Sequence, residues 1–551
     1  MINQKPQPNS SDDHTPMNQF IMNIQRKKEE EYTQKRAGEL GLAYQNLVGF
    51  QPNPSAVTII PKDLANSAKI FAYEKDGTVV SLAIASPEDP KTIDALKKIS
   101  AMDEFEFKPV LVSSSSMKYL LGVYDTFSPT QTKVDDINIS AELEEKFSKL
   151  TNLKKLQTAL VTASTSELTE TIFAGAIGLN ASDIHIEPTK EALRLRYRLD
   201  GVLQDITTLP EGQLDPLINR IKMLAKLKLN ITEGAQDGRF SIRTPKSTYD
   251  IRVSILPTQY GESAVLRLLP QEGHFISLDE IGFSPEVKQW VETAIREPNG
   301  LILNTGPTGS GKTTTLYAIL NTINKPGSKI ITVEDPVEYR LQGITQTQVN
   351  NEEDYTFANA LRSIVRQDPD IILVGEIRDR ETAEIAVDAS LTGHLVLSTL
   401  HTNDASGAVP RLVELGAQPK LFSDALRLII AQRLVRRLCP KCKESYSPTA
   451  EELEKIKAVS PTTSLEKLYR AGKCDECNGT GYNGRIGIFE VLRITPEVKA
   501  KINANAGASE IKKLAVTQDM KTLAQDGLVR VIEGITSLDE LFRAVGSDES
   551  N

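Results

Sequence analysis

Apolar and polar residues follow two different periods between residues 300 and 438. Runs of four to six apolar residues fit buried strands, whereas apolar residues that recur every three or four positions fit helices packed on a sheet. Here the two patterns follow one another in turn, which predicts a parallel sheet with helices on both faces. The predicted strands are residues 301–304, 329–333, 371–374 and 394–399.

The same criteria predict two smaller α/β units before this sheet. The nearer unit, residues 141–283, combines strand-like runs with one helical stretch, and the farther unit, residues 37–124, alternates short apolar runs with a helix-like stretch. In the nearer unit the strand-like runs are 183–186, 192–199, 240–243 and 249–255, and the helical stretch is 217–229. In the farther unit the apolar runs are 57–61, 79–85 and 107–112, and the helix-like stretch is 91–99.

Polar segments separate and flank these units. Residues 1–36 are rich in Gln, Asn, Ser and charged residues, so we expect a flexible tail, with helical character from 22 to 40. Residues 125–140 contain Pro129 and several Asp, Asn and Thr residues, a composition typical of a linker. The remaining predicted units are the sheet domain at 284–438, a cysteine-bearing insert at 439–485 and a helical region at 486–551.

Charge and hydropathy restrict the class of protein. A chain of 551 residues is too long for one hydrophobic core, which agrees with several domains. The net charge of −9 argues against a protein whose main role is to grip nucleic acid. No run of about 18 apolar residues occurs, and residues 1–31 lack the apolar core of a signal peptide. We therefore expect a cytoplasmic protein whose contact with a membrane is only peripheral.

A glycine-rich segment after the first predicted strand matches a phosphate-binding loop. It follows the pattern G-x-x-x-x-G-K-[ST] at every fixed position, and Thr314 and a helix-forming run come after it. Such a loop points successive backbone N–H groups at one phosphate. Lys312 would reach the outer phosphates, and the Thr313 hydroxyl would bind Mg²⁺. The loop residues are Gly306, Pro307, Thr308, Gly309, Ser310, Gly311, Lys312 and Thr313.

Carboxylates follow two of the later strands. Glu334 directly follows the strand at 329–333 and is our candidate for polarising the attacking water. Glu376 follows the strand at 371–374 and is placed to hold Mg²⁺, through a bound water. The carboxyl ends of parallel strands form the edge where open α/β sheets bind ligands. The alternative for either residue is a carboxylate that only caps the next helix.

Histidines and arginines extend the candidate site. His401 follows the strand at 394–399 and is a candidate γ-phosphate sensor, whereas His394 fits a structural role. Arginines neutralise charge on a transferred phosphoryl group. Arg362 and Arg366 lie four residues apart on one predicted helix. For any single arginine, an ordinary surface charge remains the alternative.

All four cysteines of the chain form two C-x-x-C pairs. Two such pairs supply four thiolates, enough for a closed tetrahedral Zn²⁺ site with a structural role. The pairs are 31 residues apart, and a helix at 449–459 could occupy the gap. A redox pair is the alternative. The residues are Cys439, Cys442, Cys474 and Cys477.

These motifs, in this order, resemble the ATPases of type II secretion and type IV pilus assembly. The resemblance covers residues 145–551. The segments that carry it are 181–188, 196–201, 236–239, 306–313, 331–339, 373–379, 392–404 and the two cysteine pairs. It implies an α/β fold with a RecA-like P-loop ATPase core, a preceding PAS-like α/β N-terminal domain, a zinc-binding insert and a helical C-terminal region.

The resemblance also implies roles and partners. Arg252 and Arg267 match the family arginines that approach the phosphates from the preceding domain, Glu334 matches the catalytic glutamate, and Glu376 matches the Mg²⁺-linked one. ATP, Mg²⁺ and structural Zn²⁺ are the implied cofactors. The implied assembly is a homohexamer that moves an inner-membrane platform protein, while residues 37–124 dock onto a membrane-protein partner. The cysteine insert favours assembly or export over retraction.

Two other functions compete with this one. A RecA-like helicase or DNA-uptake motor would need a basic channel and stacking aromatics, but aromatic residues are only 5% of this acidic chain. A nucleotide-binding switch without turnover would not need Lys312, Glu334 and Glu376 together. We therefore expect ATP hydrolysis and no direct contact with nucleic acid.

Overall fold

The structure is a computed structural model of the chain. It describes residues 16–50, 52–57, 59–76, 78–100, 105–126, 136–138, 153–271, 276–350, 353–461 and 465–546.

The N-terminal unit is a four-stranded sheet with helices packed against it. The strand order is β1-β4-β3-β2, and only β2 is antiparallel to its neighbour. The strands are β1 (Ala43–Tyr44), β2 (Ile70–Asp76), β3 (Val79–Ile84) and β4 (Glu106–Leu111). The helices are α1 (Pro16–Leu40), α2 (Pro54–Val57), α3 (Lys62–Ala68), α4 (Pro90–Ser100) and α5 (Ser114–Thr126).

Helix α1 confirms the helical character expected from 22 to 40 and begins earlier, at Pro16. It corrects the expectation of a flexible tail over residues 1–36, of which 1–15 lie outside the described residues. The Tyr44 hydroxyl donates to Glu30 Oε2 over 2.7 Å, and the Ser113 hydroxyl donates to Glu30 Oε1 over 2.6 Å. Glu29 accepts a bond from the backbone N–H of Ser115 over 3.1 Å. The polar residues of this segment, whose composition suggested disorder, therefore make contacts with the rest of the N-terminal unit. In the apolar run at 57–61, Val57 ends α2 and the described residues 59–61 are not part of a strand.

The second unit is a seven-stranded sheet in the order β5-β9-β10-β11-β6-β7-β8. Its strands are β5 (Asp136–Asn138), β6 (Asp183–Pro188), β7 (Ala192–Leu199), β8 (Val202–Pro210), β9 (Gln236–Arg243), β10 (Thr248–Thr258) and β11 (Gly261–Pro270). Its helices are α6 (Leu153–Thr162), α7 (Thr165–Gly178) and α8 (Leu214–Leu224), with a 3₁₀ turn at Glu211–Gln213. Strand β5 pairs with β9, so the predicted linker at 125–140 contains a sheet strand. Three residues are too few to carry a strand pattern by themselves.

Alternation along these strands gives the sheet two different faces. In β7 the side chains of Leu193, Leu195 and Tyr197 are buried in the core of this unit. The arginines between them point to the opposite face, because successive side chains of a strand alternate. The same alternation in β10 and β11 places Arg252 and Arg267 on that face, between buried aliphatic residues. Arg198 continues the alternation in β7 and lies on that face as well. Arg198, Arg252 and Arg267 line the cleft described below and are called the arginine row.

The third unit is a seven-stranded sheet in the order β14-β13-β15-β16-β12-β17-β20. Its neighbouring strands are parallel except for β17 and β20. The strands from here on are β12 (Gly300–Thr305), β13 (Ile330–Glu334), β14 (Thr345–Gln348), β15 (Ile371–Val374), β16 (Leu395–Leu400), β17 (Leu426–Leu438), β18 (Glu444–Tyr446), β19 (Leu468–Arg470) and β20 (Tyr482–Arg493). The four predicted strands are confirmed, with bounds that differ by at most one residue.

Helices cover both faces of this sheet, where two hydrophobic clusters form. They are α9 (Leu278–Ile281), α10 (Pro285–Ala294), α11 (Lys312–Ile323), α12 (Phe357–Val365), α13 (Arg380–Leu391), α14 (Ala408–Glu414), α15 (Pro419–Ala425), α16 (Ala450–Val459), α17 (Pro496–Asn503), α18 (Ala508–Thr517), α19 (Leu523–Ile532) and α20 (Leu538–Val545). In the part of the chain that the structure describes, no helix has the length and apolar character needed to cross a membrane.

The cysteine insert is a loop between two adjacent strands, β17 and β20. It contains the two-stranded sheet β18–β19 and helix α16, which confirms the helix predicted at 449–459. The region at 486–551, predicted to be helical, instead begins within β20, which belongs to the main sheet. The partner of β20 lies about fifty residues earlier in the chain, so only the folded structure reveals the pairing.

Candidate nucleotide site and cysteine cluster

The glycine-rich loop connects β12 to α11 and requires glycine at specific positions. Gly306 has φ +149°, and a Cβ added there would lie 2.6 Å from the carbonyl oxygen of Gln432. Gly311 has φ +88° at the N-cap of α11, a left-handed conformation that favours glycine. The loop can therefore curl closely around the start of a helix. Backbone N–H groups and the helix dipole at this point attract anions.

Side chains in the loop add further groups that suit a phosphate. Lys312 Nζ donates to the carbonyl oxygens of Gly306 and Pro307 over 2.7 and 3.2 Å. Burial lowers the pKa of Lys312 to about 8. The charge of Glu376 acts in the opposite direction and raises this pKa, whereas the charge of Arg433 lowers it by a smaller amount. The buried Ser310 hydroxyl has no hydrogen-bond partner among the described residues. An anion in the loop would give the Ser310 hydroxyl a partner and would lie within reach of Lys312.

A cleft of about 840 Å³ joins this loop to the arginine-bearing face of the second sheet. Its walls bring together candidates that are up to 149 positions apart in the sequence. Thr314 follows the loop in the first turn of α11. The predicted site residues that line the cleft are Pro307, Thr308, Gly309, Ser310, Gly311, Lys312, Thr313, Glu334, Glu376, His401, Arg252 and Arg267.

Glu334 ends β13 and is almost fully buried, with 4% of its surface exposed. Its carboxylate accepts bonds from the Thr332 hydroxyl over 2.6 Å and from Gln346 Nε2 over 3.3 Å, and the Tyr317 hydroxyl also donates to it. Burial raises the pKa of Glu334, although these three donors act in the opposite direction. A carboxylate with a raised pKa at the edge of the cleft is suited to accepting a proton.

Glu376 and His401 lie together at the ends of neighbouring strands. His401 Nε2 is 3.3 Å from Glu376 Oε2, and Arg378 contacts Glu376 as well. Both Glu376 and His401 line the cleft. His394, by contrast, places Nδ1 2.9 Å from the carbonyl oxygen of Ala389 at the end of α13, which is a structural contact.

Arg252 and Arg267 face each other on adjacent strands of the second sheet. Arg252 donates from Nη2 to the carbonyl oxygen of Val337 over 3.2 Å, and it lies 3.9 Å from Glu338. It thus connects the second unit to the acidic segment after β13. Arg362, also considered from sequence, pairs with Glu381 on α13.

The cleft also contains residues that the sequence analysis did not single out. Arg433, near the middle of β17, donates to the carbonyl oxygen of Asn403 over 2.9 Å. Asp183 and Arg198 come from β6 and β7, and Arg485 and Arg543 come from β20 and α20. The alternation of apolar residues and arginines along β7 could have identified Arg198 from the sequence. Nothing in the local sequence of the other residues predicts that they reach this cleft.

The four cysteines form a second candidate site. All four Sγ atoms lie within 4.8 Å of one another. Three of the Sγ–Sγ distances are 3.8, 3.7 and 3.6 Å, whereas a disulfide would need about 2.05 Å. Four sulfurs at about 2.3 Å from a central Zn²⁺ would be about 3.8 Å apart. The cluster therefore has the dimensions of a tetrahedral zinc site, and Gly481 N–H donates to Cys477 Sγ over 3.2 Å.

Comparisons with known proteins agree with this architecture. The family model described as type II/IV secretion system protein matches residues 159–543, and the model of the MshEN domain matches residues 40–125. The chain belongs to the family of type II/IV secretion system proteins. The family expected from the sequence motifs is thereby confirmed.

Two curated relatives illustrate the range of the family. The type IV pilus assembly ATPase PilB of Thermus thermophilus is 38% identical over 517 residues, which cover 93% of this chain and 57% of PilB. This chain therefore matches little more than half the length of that relative. The putative type II secretion system protein E of Escherichia coli is 49% identical over 382 residues, covering 69% of this chain and 76% of that protein.

A solved structure supports the fold. The ATPase DotB of Legionella pneumophila matches with a TM-score of 0.51 at 24% identity, over 69% of this chain and 95% of DotB. The expected α/β fold with a RecA-like ATPase core is confirmed. This type II/IV secretion system protein is a secretion or pilus ATPase, and hydrolysis of ATP is its activity.

Proposed function

We propose that this chain is a hexameric motor that hydrolyses ATP to drive polymerisation of a type IV pilus or of a type II secretion pseudopilus. The observation that carries the proposal is the cleft between the phosphate loop and the arginine row, which belong to different units of one chain. A nucleotide bound there would contact both units at once. Binding and hydrolysis would therefore change how closely the units approach, and that movement would be the mechanical output.

Each group in the cleft has a chemical task in this proposal. The loop and Lys312 hold the phosphates, and Glu334 accepts the proton of the attacking water. Arg252 and Arg267 stabilise charge that develops on the transferred phosphoryl group. Thr313 and Glu376 would hold Mg²⁺, which neutralises charge on the phosphate oxygens when it is bound. His401, which is within 3.3 Å of Glu376, would report on the γ-phosphate through that carboxylate.

The partners follow from this motor role. The N-terminal unit, residues 37–124 with helix α1, would dock onto a membrane-protein partner, and the ring would act on an inner-membrane platform protein from the cytoplasmic side. The relatives in type IV pilus assembly and type II secretion support both versions of the machine. The cysteine insert favours assembly over retraction.

Zinc would hold the insert closed between β17 and β20. We expect about one zinc ion per chain in the native protein. We expect Cys474→Ser to lose this zinc and to lower Tm by about 5 °C, because metal binding contributes directly to the free energy of folding. Elemental analysis and thermal denaturation measure both quantities. Lys473→Ala is the matched control, because it changes a neighbouring residue without removing a thiolate. Full zinc content in Cys474→Ser would contradict the four-thiolate site.

The motor itself is tested by measuring ATP hydrolysis and mass in solution together. We expect turnover per chain to rise as the protein assembles into a six-subunit species, in the presence of ATP and Mg²⁺. Mass photometry and phosphate release at the same protein concentrations give the two quantities. A monomer that hydrolyses ATP equally fast would refute the ring mechanism and leave only the ATPase.

A further inference from the structure

Asp183 is a buried carboxylate at the centre of the arginine row. It begins β6, which lies between β11 and β7, so it stands opposite Arg267 on one side and Arg198 on the other. Asp183 Oδ1 accepts from Arg267 Nε over 3.0 Å, and Oδ2 accepts from Arg198 Nε over 3.1 Å. The Ser182 hydroxyl adds a third bond, over 2.8 Å. Each carboxylate oxygen therefore holds a different arginine.

These contacts use only part of each guanidinium. An arginine has five N–H donors, and Asp183 takes the Nε hydrogen of Arg267. The two Nη groups of Arg267 have no hydrogen bond to any residue that the structure describes. About half of the Arg267 side chain is exposed, and it lines the cleft. Four N–H donors remain on the two Nη groups, and together these groups can bind a phosphate in a bidentate manner.

Asp183 also offsets repulsion within the row. Arg267 lies directly opposite Arg252, and like charges at such cross-strand positions destabilise a sheet. Burial opposes ionisation of Asp183, but the bonds and charges of Arg267, Ser182 and Arg198 outweigh it and lower its pKa. The carboxylate is thus ionised, and it stands between two of the cleft's cations.

The turn after β7 contacts the ATPase core close to this point. Asp200, two residues after Arg198, accepts a bond from the backbone N–H of Gly484 over 2.9 Å. Arg198 itself donates weakly to the carbonyl oxygen of Gly201 over 3.4 Å. This end of β7, which carries Arg198, therefore lies next to the sheet of the ATPase core.

We propose that Asp183 is a positioning residue for ATP hydrolysis, which orients the guanidinium of Arg267 toward the phosphates before the nucleotide binds. The inference rests on the proposed role of Arg267. A long side chain that is already oriented loses less conformational freedom in the transition state. Asp183 itself does not need to touch the nucleotide.

The test compares Asp183→Ala and Asp183→Asn in the full-length protein. We expect both to lower kcat by about 10- to 100-fold with a change in KM of at most about threefold, because misplacement of a catalytic group mainly affects the transition state. Asp183→Asn is nearly isosteric, so it carries the test if Asp183→Ala does not fold. Asp205→Asn is the matched control: Asp205 accepts two bonds from exposed Arg194 on the same sheet, and we expect unchanged kinetics.

A double variant separates positioning from a general structural role. If Asp183 acts through Arg267, then Asp183→Asn combined with Arg267→Ala will be no slower than Arg267→Ala alone. If the two substitutions lower kcat by factors that multiply in the double variant, the inference is wrong. If both Asp183 variants have the wild-type kcat while Arg267→Ala has a reduced kcat, the inference is wrong and the proposed function stands. Wild-type kcat in Arg267→Ala would instead refute the proposed role of Arg267, and the inference with it.

Discussion

Glu334→Gln will reduce ATP hydrolysis by about 10³-fold while ATP binding is retained. General-base catalysis typically contributes 10²- to 10⁴-fold, and the amide cannot accept the proton of water. The variant keeps the shape of the side chain and an oxygen that can accept from the Thr332 hydroxyl. The phosphate loop and Lys312 are unchanged, so the nucleotide will still bind.

The experiment is a steady-state turnover assay together with binding of a fluorescent ATP analogue. Glu384→Gln is the matched control, because Glu384 pairs with Arg380 on the exposed side of α13, outside the cleft. Unchanged turnover in Glu334→Gln would remove Glu334 from its assigned role. Loss of both binding and turnover would show that the residue supports the loop instead of the reaction.

The pH profile of the native protein provides a second readout of the same group. Burial raises the pKa of Glu334, and the base must be ionised to act. Activity is therefore present above this raised pKa and is lost as the pH falls through it. We expect the acid limb of kcat/KM to lie above the ordinary range of a glutamate, and to disappear from the residual activity of Glu334→Gln.

The second large effect is expected for Arg252→Ala. We expect this variant to have a kcat lower by about 10³-fold, with little change in KM. Arginines that stabilise a transferred phosphoryl group contribute about 10³- to 10⁵-fold. The residue also connects the two walls of the cleft, through its bond to the carbonyl oxygen of Val337. Arg252→Lys should restore little activity, because an ammonium group lacks the planar fork of the guanidinium.

Arg194→Ala is the control for this prediction. Arg194 belongs to the same sheet, but it is exposed and pairs with Asp205 outside the cleft. Turnover assays at saturating ATP, with Tm measured for each variant, separate loss of chemistry from loss of folding. If Arg252→Ala and Arg194→Ala have the same kcat, then Arg252 has no specific role in hydrolysis.

Much of the candidate site could be predicted from sequence, because its residues lie at the ends of strongly patterned strands. Glu334 and Glu376 follow apolar runs that are unambiguous, and the carboxyl ends of parallel strands meet at one edge. The glycine-rich loop is equally local, because its pattern specifies its own conformation. These residues were found without knowledge of any contact between distant segments.

Other elements depended on contacts that local pattern does not contain. The sequence predicts helical character from 22 to 40 but not the packing of α1, since Glu29 and Glu30 become structural only through Ser113 and Ser115. Strand β20 looked like part of a helical region, since its partner β17 lies beyond the whole cysteine insert. Asp183 was overlooked, because a carboxylate at the start of a strand has no visible partner until β7 and β11 are placed beside it.

The sequence alone determined the family, the glycine-rich loop, the two cysteine pairs and the alternation that puts arginines on one face of a strand. Each of these is encoded within a short window, where spacing sets geometry directly. The family resemblance implied that Arg252 and Arg267 approach the phosphates. Only the tertiary structure showed that they line one cleft with the glycine-rich loop, and which guanidinium groups Asp183 holds. Strand order and domain packing bring together residues that are far apart in the chain, and no local sequence pattern predicts those contacts.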